Sequence, residues 1–202
     1  MRISNPNLQK LSHIWITDSF VYPASLRIGK FIPLYCHYIM KKLELCQYII
    51  WGEFEILTNS GTVEELKIKG VFRNDGFVGI EDIVAQVPNA TSIEISDSIF
   101  TPTTCASLAS LKHTAKISNL ILQNINKAEF LKLNFLILFI IKNVSSGSKV
   151  RVDFKLYEGD HVLIQEMNGN LKLMEAINNN YIAGVLKRWD LQKSAFLRCL
   201  MH

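Results

Sequence analysis

The residues that could do chemistry in this 202-residue chain are few and scattered. Nucleophilic catalysis needs a Ser or Cys within hydrogen-bonding reach of a base that a third group orients, and the best linear candidate is Cys105 with His113 and Asp97. On one helix the eight-residue separation of Cys105 and His113 would leave them ~12 Å apart along the axis, too far to share a hydrogen bond. The pattern predicts instead a buried core cysteine and a histidine at a helix end, where the dipole favours a cation.

His13, His37, His113, His161 and His202 stand at least 24 residues apart, and Cys36, Cys46, Cys105 and Cys199 form no C-x-x-C pair, so no local metal-ligand set exists. Glu64-Glu65 and Glu81-Asp82 are adjacent pairs, which a strand sends to opposite faces and a helix spreads around its axis; they are expected as solvated charges rather than an acid/base couple. Gly29, Gly52, Gly61, Gly70, Gly76 and Gly79 fit neither phosphate-binding pattern, G-x-x-x-x-G-K-S/T or G-x-G-x-x-G. The expectation is therefore no catalytic residue, no metal ligand and no cofactor.

Composition narrows the class further. With 49% apolar and 20% charged residues the chain is globular in character, and 202 residues suit one domain over 1–202. The widely spaced cysteines predict reduced thiols and a cytoplasmic or nuclear setting. The polar start around Pro6 does not resemble a secretory leader, so Asn89-Ala90-Thr91 and Asn143-Val144-Ser145 are expected to be chance matches to the glycosylation pattern. The apolar run Leu131 to Ile141, interrupted by Asn134, is shorter than the ~18 to 20 residues that span a bilayer and predicts a buried helix and no membrane partner. Net charge is +4 with the basic residues dispersed, and the alternation around Lys149, Arg151, Phe154, Lys155 and Tyr157 explains Phe154 as core, so no nucleic acid is expected.

The elements show a period. Leu66 and Ile68, Ile93 and Ile95, and Leu120 and Leu122 are i, i+2 apolar pairs recurring every 27 residues, with Val150 and Val152 following 30 later. Leu43 with Leu45 and Ile14 with Ile16 extend the series towards the N-terminus. Between the pairs lie helical patterns: Ile80, Ile83, Val84 and Val87 stopped by Pro88-Asn89; a helix opened by Thr101-Pro102 with Leu108 and Leu111 on one face; and one N-capped by Asn126 that carries Phe130, Leu133, Leu136, Ile137 and Ile140. Asn74-Asp75-Gly76 is expected as a turn. The fold class predicted is α/β, a leucine-rich-repeat-like strand-helix solenoid with a parallel sheet, its repeats clearest over 64–155. Val150 to Leu156, Val162 to Gln165 and Leu171 to Met174, separated by Glu158-Gly159-Asp160 and Asn168-Gly169-Asn170, predict a hairpin or C-terminal antiparallel strand meander, and with Tyr181 to Leu200 the terminal piece over 156–202 would cap the array.

The stretch Ile83-Val84-Ala85-Gln86-Val87-Pro88-Asn89-Ala90, followed by a strand, by Thr101 to Thr104, by Leu108-Ala109-Ser110-Leu111-Lys112-His113 and by Lys116-Ile117-Ser118, resembles nematode F-box-associated (FTH-like) regions. The resemblance covers about Glu64 to Lys155. It implies the substrate-recognition region of an F-box-type ubiquitin-ligase receptor. The segment before Glu64 departs from the family by showing no F-box; Pro33-Leu34 is a poor match to its Leu-Pro start.

In such a strand the apolar pair points inward and its neighbours outward, stacking on their equivalents. The outward set is Trp15, Glu65, Lys67, Lys69, Ser92, Glu94, Asn119, Ile121, Gln123, Arg151 and Asp153. Trp15, Lys67, Lys69, Glu94, Ile121 and Arg151 combine apolar and charged groups as binding hot spots do, and are expected to bind a protein partner. The alternatives are an enzyme with a scattered active site and a purely structural or assembly solenoid.

Overall fold

Alternation of apolar and polar residues, interrupted at Val21 and Ile121, builds a sheet with two unlike faces. The computed structural model describes residues 15–22 and 37–155. Six strands, β1 (Trp15–Tyr22), β2 (His37–Leu45), β4 (Glu65–Ile68), β7 (Ser92–Ser96), β8 (Ile117–Ile125) and β9 (Val144–Phe154), form one parallel sheet in sequence order. A small second sheet joins β3 (Ile49–Ile50) and the hairpin β5 (Val71–Arg73) with β6 (Gly76–Phe77). The helices α1 (Trp51–Thr58), α2 (Ile80–Ala85), α3 (Thr104–Ser110) and α4 (Leu133–Asn143) lie between successive main-sheet strands. The chain is thus α/β with a mostly parallel sheet.

Register follows the 27-residue step. Leu66 lies beside Ile93 and Ile93 beside Leu120; Ile68, Ile95 and Leu122 align likewise. The first inward row runs Phe20, Leu43, Leu66, Ile93, Leu120, Val150, and the second Tyr22, Leu45, Ile68, Ile95, Leu122, Val152. The core beneath them contains Phe54, Leu57, Ile80, Ile83, Val84, Leu108, Leu136 and Phe139, so α1 to α4 all cover this inward face. A second periodic device reinforces the strand starts. Thr91 Oγ1 donates to Glu64 O (3.3 Å), Ser118 Oγ to Thr91 O (3.0 Å) and Ser145 Oγ to Ile117 O (3.2 Å), with the three hydroxyl residues 27 apart.

Three sequence expectations need correcting. The inward residues of β1 at the register of Leu43 and Leu45 are Phe20 and Tyr22, not Ile14 and Ile16: the strand lies further along the chain than the period implied, and a bulge at Asp18/Ser19, with Asp18 at φ 72°, passes over Lys41. Asn126 is not a helix N-cap. Its N–H donates to Ser98 O (2.9 Å), Ile99 bridges to it, and Lys127 at φ 63° breaks the chain before a short 3-10 turn, so α4 starts at Leu133 after Lys132. The Thr101-Pro102 helix begins at Thr104, because the Thr101 hydroxyl accepts from the Thr103 and Thr104 N–H groups and forms a turn first. The expected turn at Asn74-Asp75-Gly76 joins β5 to β6. Ile14 and the expected meander and cap over 156–202 lie outside the described residues.

Candidate functional site

The face turned away from the helices carries three mostly polar rows. The central row crosses all six strands: Val21, Glu44, Lys67, Glu94, Ile121, Arg151. On one side of it lie Ser19, Lys42, Glu65, Ser92, Asn119 and Lys149. On the other, Lys69 follows β4 and Ser96 pairs with Gln123.

Cross-strand pairing organises these charges. Lys42 meets Glu65 at 3.6 Å and Lys67 meets Glu44 at 3.3 Å, while Asn119 Nδ2 donates to Ser92 Oγ (2.9 Å) and Glu94 Oε1 (3.2 Å). The Lys67 ammonium is held above its ordinary pKa first by the hydrogen bond to Glu44, with Glu94 adding attraction. Exposed pairs of this kind contribute ~0 to 1 kcal/mol, so a partner could rearrange them at small cost. A shallow open hollow of about 160 Å³ lies among Lys42, Glu44, Glu65, Lys67, Ser92 and Glu94.

The expected contact residues are not all in one place. Lys67, Glu94, Ile121 and Arg151 share the central row, and Lys69 stands at the end of β4, its ammonium 4.0 Å from Asp97 and 4.9 Å from the Tyr48 ring centre. Trp15 does not join them. Its backbone pairs with His37 at the far end of β1, and Val21, 46% exposed, occupies the position expected for it, which follows from the later placement of β1. Ile121 faces outward but is only 7% exposed, so it is already desolvated in the free protein and offers a partner little new apolar area. Alternation alone gives the direction of a side chain and not what its neighbours cover.

The residues first considered for catalysis have separate partners. Cys105 Sγ contacts Phe130 O (3.7 Å) and accepts from Lys132 N–H (3.3 Å), and burial pushes its thiol pKa up. Asp97 accepts from the Tyr48 hydroxyl (3.0 Å), which burial and then this bond raise in pKa. Glu64 pairs with Lys41 and Glu65 with Lys42, whereas Glu81 accepts from Thr101 and Thr104 and Asp82 meets Arg73. Asn143 of the second glycosylation match is buried, with its amide donating to Phe139 O. Among the described residues no helix is long and apolar enough to cross a membrane, and no group of three His, Cys, Asp or Glu is placed to hold a metal.

His113 is not the dipole-favoured helix-end cation expected. Its Nε2 lies 2.8 Å from Ala90 O and donates to it, while Nδ1 is buried without a partner, so desolvation lowers the pKa despite the opposing effect of the Ala90 bond. The unfolded chain then takes up a proton below pH ~6.5 that the folded one resists. Stability is therefore full above that pH and declines as pH falls towards the depressed folded pKa. Thermal midpoints measured from pH 7.5 to 5 should drop less in His113→Gln than in the wild type; equal slopes would place His113 in contact with water.

No family model, curated protein or solved structure matches this chain.

Proposed function

We propose that the protein is an interaction module which receives a protein partner on the outer face of its parallel sheet. The observation that carries the reading is the unbroken six-strand row from Val21 to Arg151, on a face that α1 to α4 leave open. Parallel sheets ordinarily have both faces covered and read as continuous apolar runs. Here most alternate residues are polar, with Val21 and Ile121 the apolar members of the central row. Evenly stacked, single-sided strand-helix units of this sort suit a leucine-rich-repeat-like solenoid, in which the open face is the binding surface. The resemblance to F-box-associated regions agrees with that reading and adds the role of substrate recognition for a ubiquitin ligase.

Five strand spacings of ~4.8 Å and four residue steps of ~3.3 Å give the rows about 300 Å², against ~800 Å² per side of a standard interface, so a partner would also reach the loops at the rims. The test is affinity capture from cell extract with the wild type and with Lys67→Ala/Glu94→Ala/Arg151→Ala, leaving the covered Ile121 in place. Proteins held by the wild type should be lost from the triple variant while the thermal midpoint stays nearly constant. Capture of the same proteins by both forms would remove the outer face from consideration.

A further inference from the structure

Charge is unevenly distributed along the chain, and the strand order converts this into an uneven distribution in space. Residues 37–97 contain ten Asp and Glu against five Lys and Arg, a net −5, whereas residues 98–155 contain two against eight, a net +6. Because β2, β4 and β7 precede β8 and β9 across the sheet, the two segments occupy opposite sides of it. All five Lys and Arg of the first segment lie within 4.0 Å of a carboxylate. In the second, Lys127 and Arg151 take Glu129 and Asp153, its two acidic residues.

Three of the remaining lysines stand on the segments where α3 and α4 end. Lys116 Nζ donates to Lys142 O, Lys142 Nζ donates to Ser110 O (3.4 Å), and the His113 N–H bridges to Asn143 Oδ1 (3.3 Å). Lys112 follows Ser110 by two residues, and all three lysines are exposed. Lysines at helix C-termini are favourable to the dipole, which accounts for these contacts. A carbonyl nevertheless accepts a hydrogen bond without neutralising charge, so the Lys116 and Lys142 ammonium groups lie beside one another, with exposed Lys112 on the adjoining segment after α3, and no ion pair to a carboxylate holds any of the three among the described residues.

We propose that this corner, formed by Lys112, Lys116 and Lys142, docks an acidic segment of a protein partner. Nucleic acid fits less well, since single strands need aromatic platforms beside the cations. Here Phe100 and Phe139 are buried, Phe130, Phe135 and Phe154 are packed against the core, and exposed Tyr48 belongs to the acidic segment. Ile141, 45% exposed and adjacent to Lys142, supplies an apolar contact of the kind protein segments use. The corner shares no residue with the outer-face rows, so it stands or falls independently of the function proposed above.

The test uses the full chain with a fluorescent poly-glutamate 20-mer and, separately, a uridine 20-mer RNA, each at 50 and 200 mM salt. Poly-glutamate is expected to bind at low salt and to weaken at the higher salt, as screening requires. Lys112→Glu/Lys116→Glu/Lys142→Glu should reduce its affinity at least tenfold. Lys127→Glu/Lys132→Glu/Lys155→Glu makes the same charge change at the opposite ends of β8 and β9, ~25 Å away along the strand, and should reduce it much less. Equal losses from the two variants, no binding at 50 mM salt, or RNA binding tighter than poly-glutamate through the same three lysines would each overturn the proposal. Circular dichroism of both variants separates lost binding from lost folding.

Discussion

Ile93→Asp is expected to be the most destabilising single change in the sheet. Ile93 is fully buried at the middle of the inward row, with Leu66 on one side and Leu120 on the other, and the core beneath it provides no cation. A carboxylate there must either remain charged without a partner or take up a proton, at a cost of at least about 3 kcal/mol against a typical total of ~5 to 15. Glu94→Ala, one residue on, removes a half-exposed side chain and a single hydrogen bond from Asn119, and should stay within about 1 kcal/mol of the wild type. Urea denaturation of the pair decides the matter; a larger loss in Glu94→Ala would mean that β7 presents its faces the other way round.

That contrast also marks what the sequence made legible. The pairs at Leu66, Ile93 and Leu120 could be found because a parallel ladder aligns equivalent residues, so one period in the chain becomes one register in the sheet. The same reasoning failed at β1, where the bulge and a shorter step moved the inward positions to Phe20 and Tyr22. Helix α1 was missed because it buries only Phe54, Leu57 and Thr58, begins with Trp51-Gly52 and has no side-chain N-cap. Of the candidate site, the row through Lys67, Glu94, Ile121 and Arg151 was readable from alternation. The covering of Ile121 and the placing of Lys112, Lys116 and Lys142 where α3 and α4 end were not, since both depend on neighbours distant in sequence. The hydroxyls at Thr91, Ser118 and Ser145 were a signal of the same period that an apolar search passes over.

A second large effect is expected at Gly70, and its sign reverses at Gly52. A Cβ on Gly70 would lie 2.7 Å from the backbone oxygen of Asp97, and 3.2 and 3.3 Å from ring carbons of Tyr48 and Phe77. The oxygen belongs to a residue held at φ 55° at the end of β7, and Gly70 O itself accepts from Ile49 N–H, so neither backbone can move without disturbing the junction of the two sheets. Gly70→Ala should therefore cost about 2 to 3 kcal/mol, lowering the thermal midpoint by roughly 4 to 12 °C in a chain of this size. At Gly52, in the first turn of α1, an added Cβ meets nothing within 4 Å, and Gly52→Ala should stabilise by about 0.5 to 1 kcal/mol through helix propensity. Calorimetric midpoints that moved in the same direction for both variants would refute this account of the junction.

Laying the strands down in sequence order also shapes how the fold is reached and lost. Main-sheet partners such as Lys42 and Glu65, Ser92 and Asn119, or Asn119 and Lys149 are 23 to 30 residues apart, so none of the ladders among the described residues joins segments distant in sequence. Scaled to the length of the chain this is a separation of about 0.13, which for a parallel sheet is a local topology and favours rapid zipping outward from any pair that forms first. Opening should run the other way. Among the described residues β1 and β9 are each held by one ladder and β7 by two, so amide hydrogens in the ladders around Ile93 should exchange with solvent later than those of β1 and β9.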